Sequence, residues 1–570
     1  MKEDLVRLLK DSAVLMELNG ENAFKARAYA NAARAVDRSD FDPAAGDEAA
    51  IDTIPGVGKG IAESIREFMR SGTIAAHDEL RQSVPAGLFE MTQLKGVGPK
   101  KILAIHEALG IDTIGELEYA CRENRLVDLK GFGEKTQSKI LESIEQWNLR
   151  KDNFHLGRAV ENAEEILAAL RALDDVQRAE LSGELRLVDE TISAIDILVV
   201  GATPQEMEQG LTGLLDGIKH VDDGILGRGH SGLPVNIQCV PAGLFVWQRH
   251  QDSAAPAYAE RFAAIAAEQG LEVGDEGLKH HGRDFNPADD DELYAALGLR
   301  TVPAELRDET DNLNNNDNID FAARVDDTAM HGTLHIHSTW SDGRDSLPDM
   351  ALAAKELGSS YICFCDHSRS AFYANGLDAA RLKQQHAEID DFNSRGHGIA
   401  VLKGIESDIL PDGSLDYPDE VLASFDMIVA SVHSVFNMAR DAMTARLLRA
   451  VENPFTTILG HPTGRLLLAR KAYDFDMNAV LERAAECGTV IEINANPHRL
   501  DLSWRNVRRA RDMGIKFAVN PDAHCREDLR YVRYGLMIAR KGGLGPDDII
   551  NTMNETQFRD FLAQQKARRS

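Results

Sequence analysis

HGTLHIHSTWSDG, residues His331–Gly343, runs from a short apolar stretch, Thr333–Ile336, through a His-x-His pair into a Ser-Asp-Gly turn. Side chains two apart on a strand point the same way, so His335 and His337 are expected on one face. Six further apolar runs downstream read as strands: Tyr361–Cys365, Val401–Ile405, Met427–Ser431, Thr456–Leu459, Thr489–Ile493 and Lys516–Asn520. Amphipathic helical patterns separate most of them, and such alternation predicts a parallel sheet closed into a barrel.

Almost every one of these strands ends in a residue type that binds metals. The first is followed by Asp342, the second by Asp366-His367, the third by Glu406, the fourth by His433, the fifth by His461, and the last by Asp522-Ala-His524; the sixth ends in Glu492 and Asn494. One histidine at a strand end is more often structural than a ligand. Seven strand ends in register, nearly all so equipped, converge on one face of a barrel. Nine side chains are therefore candidate ligands, enough for roughly three ions: His335, His337, Asp342, His367, Glu406, His433, His461, Asp522 and His524. Mixed imidazole and carboxylate ligands suit Mn2+, Zn2+, Fe or Co better than Mg2+ alone, which stays as an alternative.

HIHSTWSDG, CDHS, GIESDIL, SVHS, GHPTGR, EINANPHRLDL and NPDAH resemble the polymerase and histidinol phosphatase (PHP) domain, in the version fused to bacterial family X DNA polymerases. The resemblance implies a distorted (β/α)7 TIM-like barrel in which the nine candidates hold a trinuclear Mn2+ or Zn2+ cluster, with Glu406 bridging. Clustered cations activate phosphoryl groups and water for hydrolysis. Arg465 and Arg499 are candidate phosphate grips, since guanidinium matches phosphate oxygens bidentately. Asp366, counted with them as a catalytic candidate, is expected with Asp408 and Glu492 to orient imidazoles. Cys363 and Cys365 read as small packing residues.

Ahead of the barrel, helical periodicity runs to about residue 150, punctuated three times by a similar turn: IPGVGKG at Ile54–Gly60, LKGVGPK at Leu94–Lys100 and LKGFGEK at Leu129–Lys135. These look like helix-hairpin-helix motifs. Glycine lets the backbone approach a phosphate and direct N–H groups at it. Gly56, Gly58, Lys59, Gly96, Gly98, Lys100, Gly131, Gly133 and Lys135 are the candidate DNA contacts. Such contacts carry little sequence information, so gapped, nicked or 3′ ends of any sequence are the expected partner.

GENAFKARAYANAARAV (Gly20–Val36) and ELYAALGLRTVPAELRDE (Glu292–Glu309) resemble the N-terminal domain and thumb of family X polymerases, so the resemblance spans nearly the whole chain. The palm departs from the pattern. Glu184 stands where the family has the serine of a Gly-Ser motif, Ala194 at the first aspartate and Asn236 at the third, leaving Asp196 alone. One carboxylate cannot hold two metals for nucleotidyl transfer, so a polymerase-inactive α/β palm is expected. Ser64 occupies the family's lyase-lysine position, and Schiff-base chemistry needs an amine.

The expected organisation is a multidomain protein: an N-terminal helix-hairpin-helix domain over 1–80, a fingers-like domain over 81–150, a palm-like domain over 151–245 and a thumb-like domain over 246–310. An Asn- and Asp-rich linker over 311–329, permitting reorientation, leads to the barrel over 330–570. The 570 residues carry a net charge of −29, which confines any DNA-binding surface to local patches or bound cations. Six scattered cysteines and the absence of a membrane-length apolar run indicate a reduced, cytoplasmic, membrane-free protein, and a monomer is expected. The leading expectation is a DNA repair enzyme whose barrel hydrolyses phosphate esters, as a 3′–5′ exonuclease, 3′-phosphatase or abasic-site nuclease. A gap-filling polymerase and a small-molecule phosphatase are the alternatives.

Overall fold

The computed structural model describes residues 1–127, 129–148, 152–313 and 324–569; residues 314–323, most of the expected linker, lie outside them. The chain forms two compact units, Met1–Trp147 and Asn148–Ser570.

The first unit is helical. In Lys2–Leu18, Leu5, Leu9 and Met16 recur at helical spacing and are fully buried. The next helix, Ala23–Arg38, starts where the Asn22 side chain accepts the Phe24 N–H at 2.9 Å. One core runs from Leu5 to Ile144. That core spans both of the segments, 1–80 and 81–150, expected as separate domains.

In the second unit, helix Leu156–Arg171 packs on a five-stranded sheet ordered Arg178–Ser182, Ile195–Val200, Pro234–Cys239, Gly224–Arg228, Asp216–Val221. Its Ile195–Val200 and Pro234–Cys239 strands pair in parallel, placing Asp196 beside Asn236, and the other pairs are antiparallel. The following segment has its own core around Tyr258, Phe262 and Tyr294. It also contains a small antiparallel sheet, Leu271–Val273, Leu278–His280 and Arg283–Phe285, too short to register as strand periodicity in a stretch that reads as helix-rich.

Seven parallel strands make the barrel in sequence order: β1 Gly332–Ile336, β2 Tyr361–Phe364, β3 Ala400–Asp408, β4 Met427–Ser431, β5 Ile458–Leu459, β6 Val490–Asn494 and β7 Phe517–Asn520. The end of β1 meets the segment after β7, where the His337 N–H donates to the Ala523 carbonyl at 2.9 Å. β3 outruns its expected end because Glu406 to Asp408 stay in register with β4. β5 ends at Leu459 as expected but begins two residues late, at Ile458; at Gly460, just past its end, a Cβ would lie 2.4 Å from Ser431 Oγ. Leu334, Cys363, Val429 and Val490 fill the lower interior, and Phe558 stacks on Tyr361 at 4.9 Å to close that end. Among the described residues, none of the six cysteines forms a disulfide.

The palm-like segment and the barrel share one core, with Ile166 and Ile197 in the same cluster as Ile405, Trp504 and Tyr534. Fully buried Lys541 reaches across: its Nζ donates to the Leu187 carbonyl at 2.5 Å and lies 2.7 Å from Asp308 and 3.3 Å from Asp189. Leu313 and Val325, flanking 314–323, are both buried. The reorientation expected across the linker is thus corrected: a shared apolar core holds the barrel and palm-like segment together. Among the described residues, no helix is long and apolar enough to cross a membrane.

Candidate metal centre

All nine expected ligands meet at the C-terminal mouth of the barrel. In the second unit their donor atoms form four overlapping groups: His337, Asp342, His367 and His524; His335, His337 and Asp522; His335, Glu406 and His461; and His367, Glu406 and His433. Glu406 sits at the middle. Its Oε1 is 2.8 Å from His461 Nε2, 3.2 Å from His433 Nε2 and 3.3 Å from His335 Nε2, and its Oε2 is 3.0 Å from His367 Nδ1. Asp522 Oδ1 lies 3.1 and 3.5 Å from the Nε2 atoms of His337 and His335. Asp342 faces His367 at 3.3 Å and His524 at 3.4 Å.

These residues fit divalent cations. Two ligands each about 2.1 Å from one ion, at roughly 90–110°, stand about 3.0–3.4 Å apart. Several of the buried atoms, including His335 Nε2, both His367 nitrogens, His433 Nε2 and Glu406 Oε2, have no hydrogen-bond partner, a costly state for a buried polar atom unless a ligand meets it. Burial, with His524 and His367 nearby, pushes His337 down to about 3, and burial with Arg499 pushes His461 to about 4; neutral imidazoles are what a metal requires. For His367, burial opposes protonation but Asp342 and Glu406 outweigh it and lift the group to about 10.

A second layer aims the rings. His335 Nδ1 is 2.5 Å from Glu492 Oε1, and His433 Nδ1 is 2.6 Å from Asp408 Oδ1. Glu492 is itself fixed by Asn520 Nδ2 at 2.8 Å and the His461 N–H at 2.6 Å. Asn494 Nδ2 donates to Asp522 Oδ2 at 2.9 Å. Asn520, two residues before Asp522, was not singled out in the sequence; its period-two spacing from a ligand was the available signal.

Asp366 is a correction. It touches no imidazole; it accepts from the Ser338 N–H (2.8 Å), Ser341 Oγ (2.6 Å) and Gln385 Nε2 (2.6 Å), holding the turn that delivers Asp342. Arg465 is another. Its Nε donates to the Arg499 carbonyl at 3.0 Å, its Nη2 to the Leu500 carbonyl, and its Nη1 to Glu190 at 2.9 Å, so the guanidinium is taken up by protein rather than turned to a phosphate. Arg499 is buried with Nε 3.7 Å from Asp522 Oδ2, beside the ligands. The palm-like side braces this loop further: His155 Nε2 donates to the Leu467 carbonyl at 3.1 Å, and its ring lies 4.2 Å from that of His498.

In the palm-like sheet, Asp196 Oδ1 accepts the Asn236 amide at 2.8 Å, while Glu184 turns back to accept the Ser193 N–H (2.7 Å) and Oγ (2.9 Å). Ala194 adds no ligand, and no group of three metal-type side chains lies there among the described residues.

The first unit repeats one turn three times: Val57, Val97 and Phe132 N–H groups donate to the carbonyls of Ile54, Leu94 and Leu129. Gly56, Gly96 and Gly131 have φ of 85°, 84° and 92°, which requires glycine. A Cβ at these positions, or at Gly58, Gly98 and Gly133, would meet nothing within 4 Å, so the backbone is open to close approach. Lys59, Lys100 and Lys135 are exposed in the first turns of the helices that follow. Ser64, bonded to Tyr29 Oη at 3.2 Å, supplies no amine.

Family models match these regions: a helix-hairpin-helix domain over residues 1–74, a SAM-like helix-hairpin-helix tandem over 89–146 and a PHP domain over 333–496. The DNA polymerase/3′-5′ exonuclease PolX of Bacillus subtilis (strain 168) is 33% identical over 569 residues, covering 98% of this chain and 99% of that protein. The chain belongs to the PolX family. The barrel of this PolX-family chain also matches proteins without the front half. A probable phosphatase of Thermoanaerobacter sp. (strain X514) is 27% identical over 244 residues, 41% of this chain and 94% of that protein. One of Vibrio campbellii is 28% identical over 247 residues, 40% of this chain and 90% of that protein.

Proposed function

We propose that the barrel hydrolyses phosphate esters at DNA ends, chiefly as a 3′–5′ exonuclease, with 3′-phosphatase and abasic-site cleavage as related activities, and that the palm-like region no longer transfers nucleotides. The observation that carries this is the buried nest of nine ligand side chains with unsatisfied donor and acceptor atoms. The three open glycine turns supply the affinity for DNA phosphates. Bound cations, Mn2+ or Zn2+ in a trinuclear set with Mg2+ the alternative, supply Lewis-acid activation of the phosphoryl group and of the attacking water. Glu406, whose two oxygens face His461, His433, His335 and His367, would hold cations together with those imidazoles. Glu492 and Asp408 hold the Nδ1 protons of His335 and His433, leaving each Nε2 lone pair toward the centre. Arg499 neutralises charge at the phosphate. In the palm-like sheet, Asn236 directs an amide at the single remaining carboxylate, Asp196, where a metal site would need an acidic oxygen. We place the chain in the cytoplasm as a monomer.

A 5′-labelled gapped duplex with Mn2+ tests the reading. The wild type shortens the 3′ end; Asp522→Ala and His335→Ala lose at least 100-fold. Equal degradation by all three removes the barrel as catalyst. Primer extension by full-length His335→Ala, in which the exonuclease is silenced, tests the palm: template-directed extension overturns the claim of lost polymerase activity.

A further inference from the structure

Around the polar mouth of the barrel, three loops that each follow a ligand-bearing strand carry an exposed apolar side chain: Phe372 (88% exposed) after His367, Val435 (46%) after His433 and Leu468 (40%) after His461. Single exposed apolar residues are ordinary on a protein surface. These three stand instead on braced loops. In the first, the Ala371 N–H donates to the Ser368 carbonyl and the Leu377 N–H to the His367 carbonyl, at 3.0 and 2.9 Å. Buried Asp416 accepts from Ser368 Oγ and the Ser370 N–H, at 2.7 and 2.9 Å. Arg381 Nη1 donates to the Asn375 carbonyl at 2.7 Å. In the second, Arg446 Nη1 donates to the Ser434 carbonyl at 3.0 Å; in the third, the Arg470 N–H donates to the Leu466 carbonyl at 2.8 Å. Val435 and Leu468 sit at φ of 56° and 59°, a backbone that branched side chains rarely adopt. The fold thus holds these tips outward.

The Phe372 loop is continuous with the metal centre. Its Tyr373 ring lies edge-on to His367, centroids 6.2 Å apart, and Asn375 Nδ2 reaches the Ser341 carbonyl beside Asp342 at 3.5 Å. We infer that Phe372, with Val435 and Leu468 on two other loops of the same mouth, forms a nucleobase subsite: a base next to the scissile phosphate stacks on Phe372 while the phosphate enters the ligand nest. This rests on the DNA-end reading of the centre and adds how the end is gripped. A nucleobase is the occupant because it couples a flat apolar face to the phosphodiester that the centre takes, and every base has that face, so the grip is sequence-tolerant, as are the backbone contacts of the glycine turns. A small polar phosphate ester would leave all three tips in water.

The test uses the full-length protein, Phe372→Ala and Phe372→Trp, with single-stranded oligonucleotides whose two 3′-terminal nucleotides carry bases or are abasic. Phe372→Ala is expected to raise KM about tenfold on the base-bearing end, Phe372→Trp to restore it, and the abasic end to give wild type and Phe372→Ala the same KM. A second readout needs no turnover: 2-aminopurine at the 3′ terminus is quenched on binding to EDTA-treated wild type and not to Phe372→Ala. An unchanged KM, or the same rise on the abasic end, overturns the subsite while leaving the DNA-end reading intact. Failure of wild type to cleave either oligonucleotide overturns both. Faster cleavage by Phe372→Ala also overturns the subsite.

Discussion

Replacing Lys541 by methionine removes one charge and leaves the stem. The amine is fully buried, donates to the Leu187 carbonyl, and faces Asp308 and Asp189, while its stem lies against Trp504 with Nζ 5.1 Å from the ring centre. Breaking a fully buried ion pair from one side costs about 3–5 kcal/mol, because the partner charge is left without compensation. Asp308 and Asp189 are 16% and 39% exposed, so water recovers part of that cost. Methionine keeps most of the volume, so the cavity contribution is small. A loss of about 2–3 kcal/mol follows, read as a fall of roughly 0.5–1 M in the urea midpoint of the second unit. Asp308→Asn in the same chain should return at least half of it, since a neutral pair no longer strands a charge. A Lys541→Met midpoint within about 0.5 kcal/mol of wild type would refute the reasoning.

Burial raises Asp501 to about 6, with Arg465 and the Thr463 N–H opposing. A folded value above the unfolded one contributes stability that is complete below about pH 4 and lost as pH rises through about 6. Asp501→Asn in metal-free protein should therefore gain up to about 3 kcal/mol at pH 8 and nothing at pH 4; an equal gain at both would discard the assignment. Arg465→Met, which frees the Arg499 carbonyl and strands Glu190, should lower kcat/KM on DNA about tenfold; if the loss persists undiminished in an Arg499→Ala background, Arg465 does not act through Arg499. Mn2+ at a hundredfold excess over its Kd should raise the unfolding free energy by about 2.7 kcal/mol, and calorimetry showing no difference between EDTA-treated and Mn2+-loaded protein would count against the centre.

The barrel was legible because its chemistry obeys its geometry. Side chains at the ends of parallel strands converge, and period two puts His335 and His337 on one face, so residue type and spacing picked out nine side chains that the fold brings together. What escaped depends on neighbours far away in sequence. Arg465 and Arg499 are indistinguishable as letters; only the positions of the Arg499 and Leu500 carbonyls and of Glu190 show that the first is occupied. Asp366 was expected with Asp408 and Glu492 to orient imidazoles, yet it accepts from Ser338, Ser341 and Gln385, all of them remote in the chain. Nor does the sequence announce that His335, His461 and Asp522 take φ of 51°, 22° and 52°. Each such residue costs about 1–2 kcal/mol, a strain that concentrates where function fixes the backbone. The extent of the cores escaped for a similar reason: periodicity marks buried faces without naming their partners.

The contact of Gly157 with Pro497, where a Cβ would come within 2.9 Å of the proline ring, has a consequence for modularity. The barrel resembles free-standing phosphatases, and its strands alone would suggest a cassette that can be exchanged between them. A transplanted barrel would have to reproduce the proline, the His498 ring and the Tyr534 hydroxyl that meet residues 155–161, or leave an apolar seam open to water. An exchange that kept this seam closed would cut ahead of residue 148, where the first compact unit ends, and not in the Asn-rich stretch that reads as a joint in the sequence.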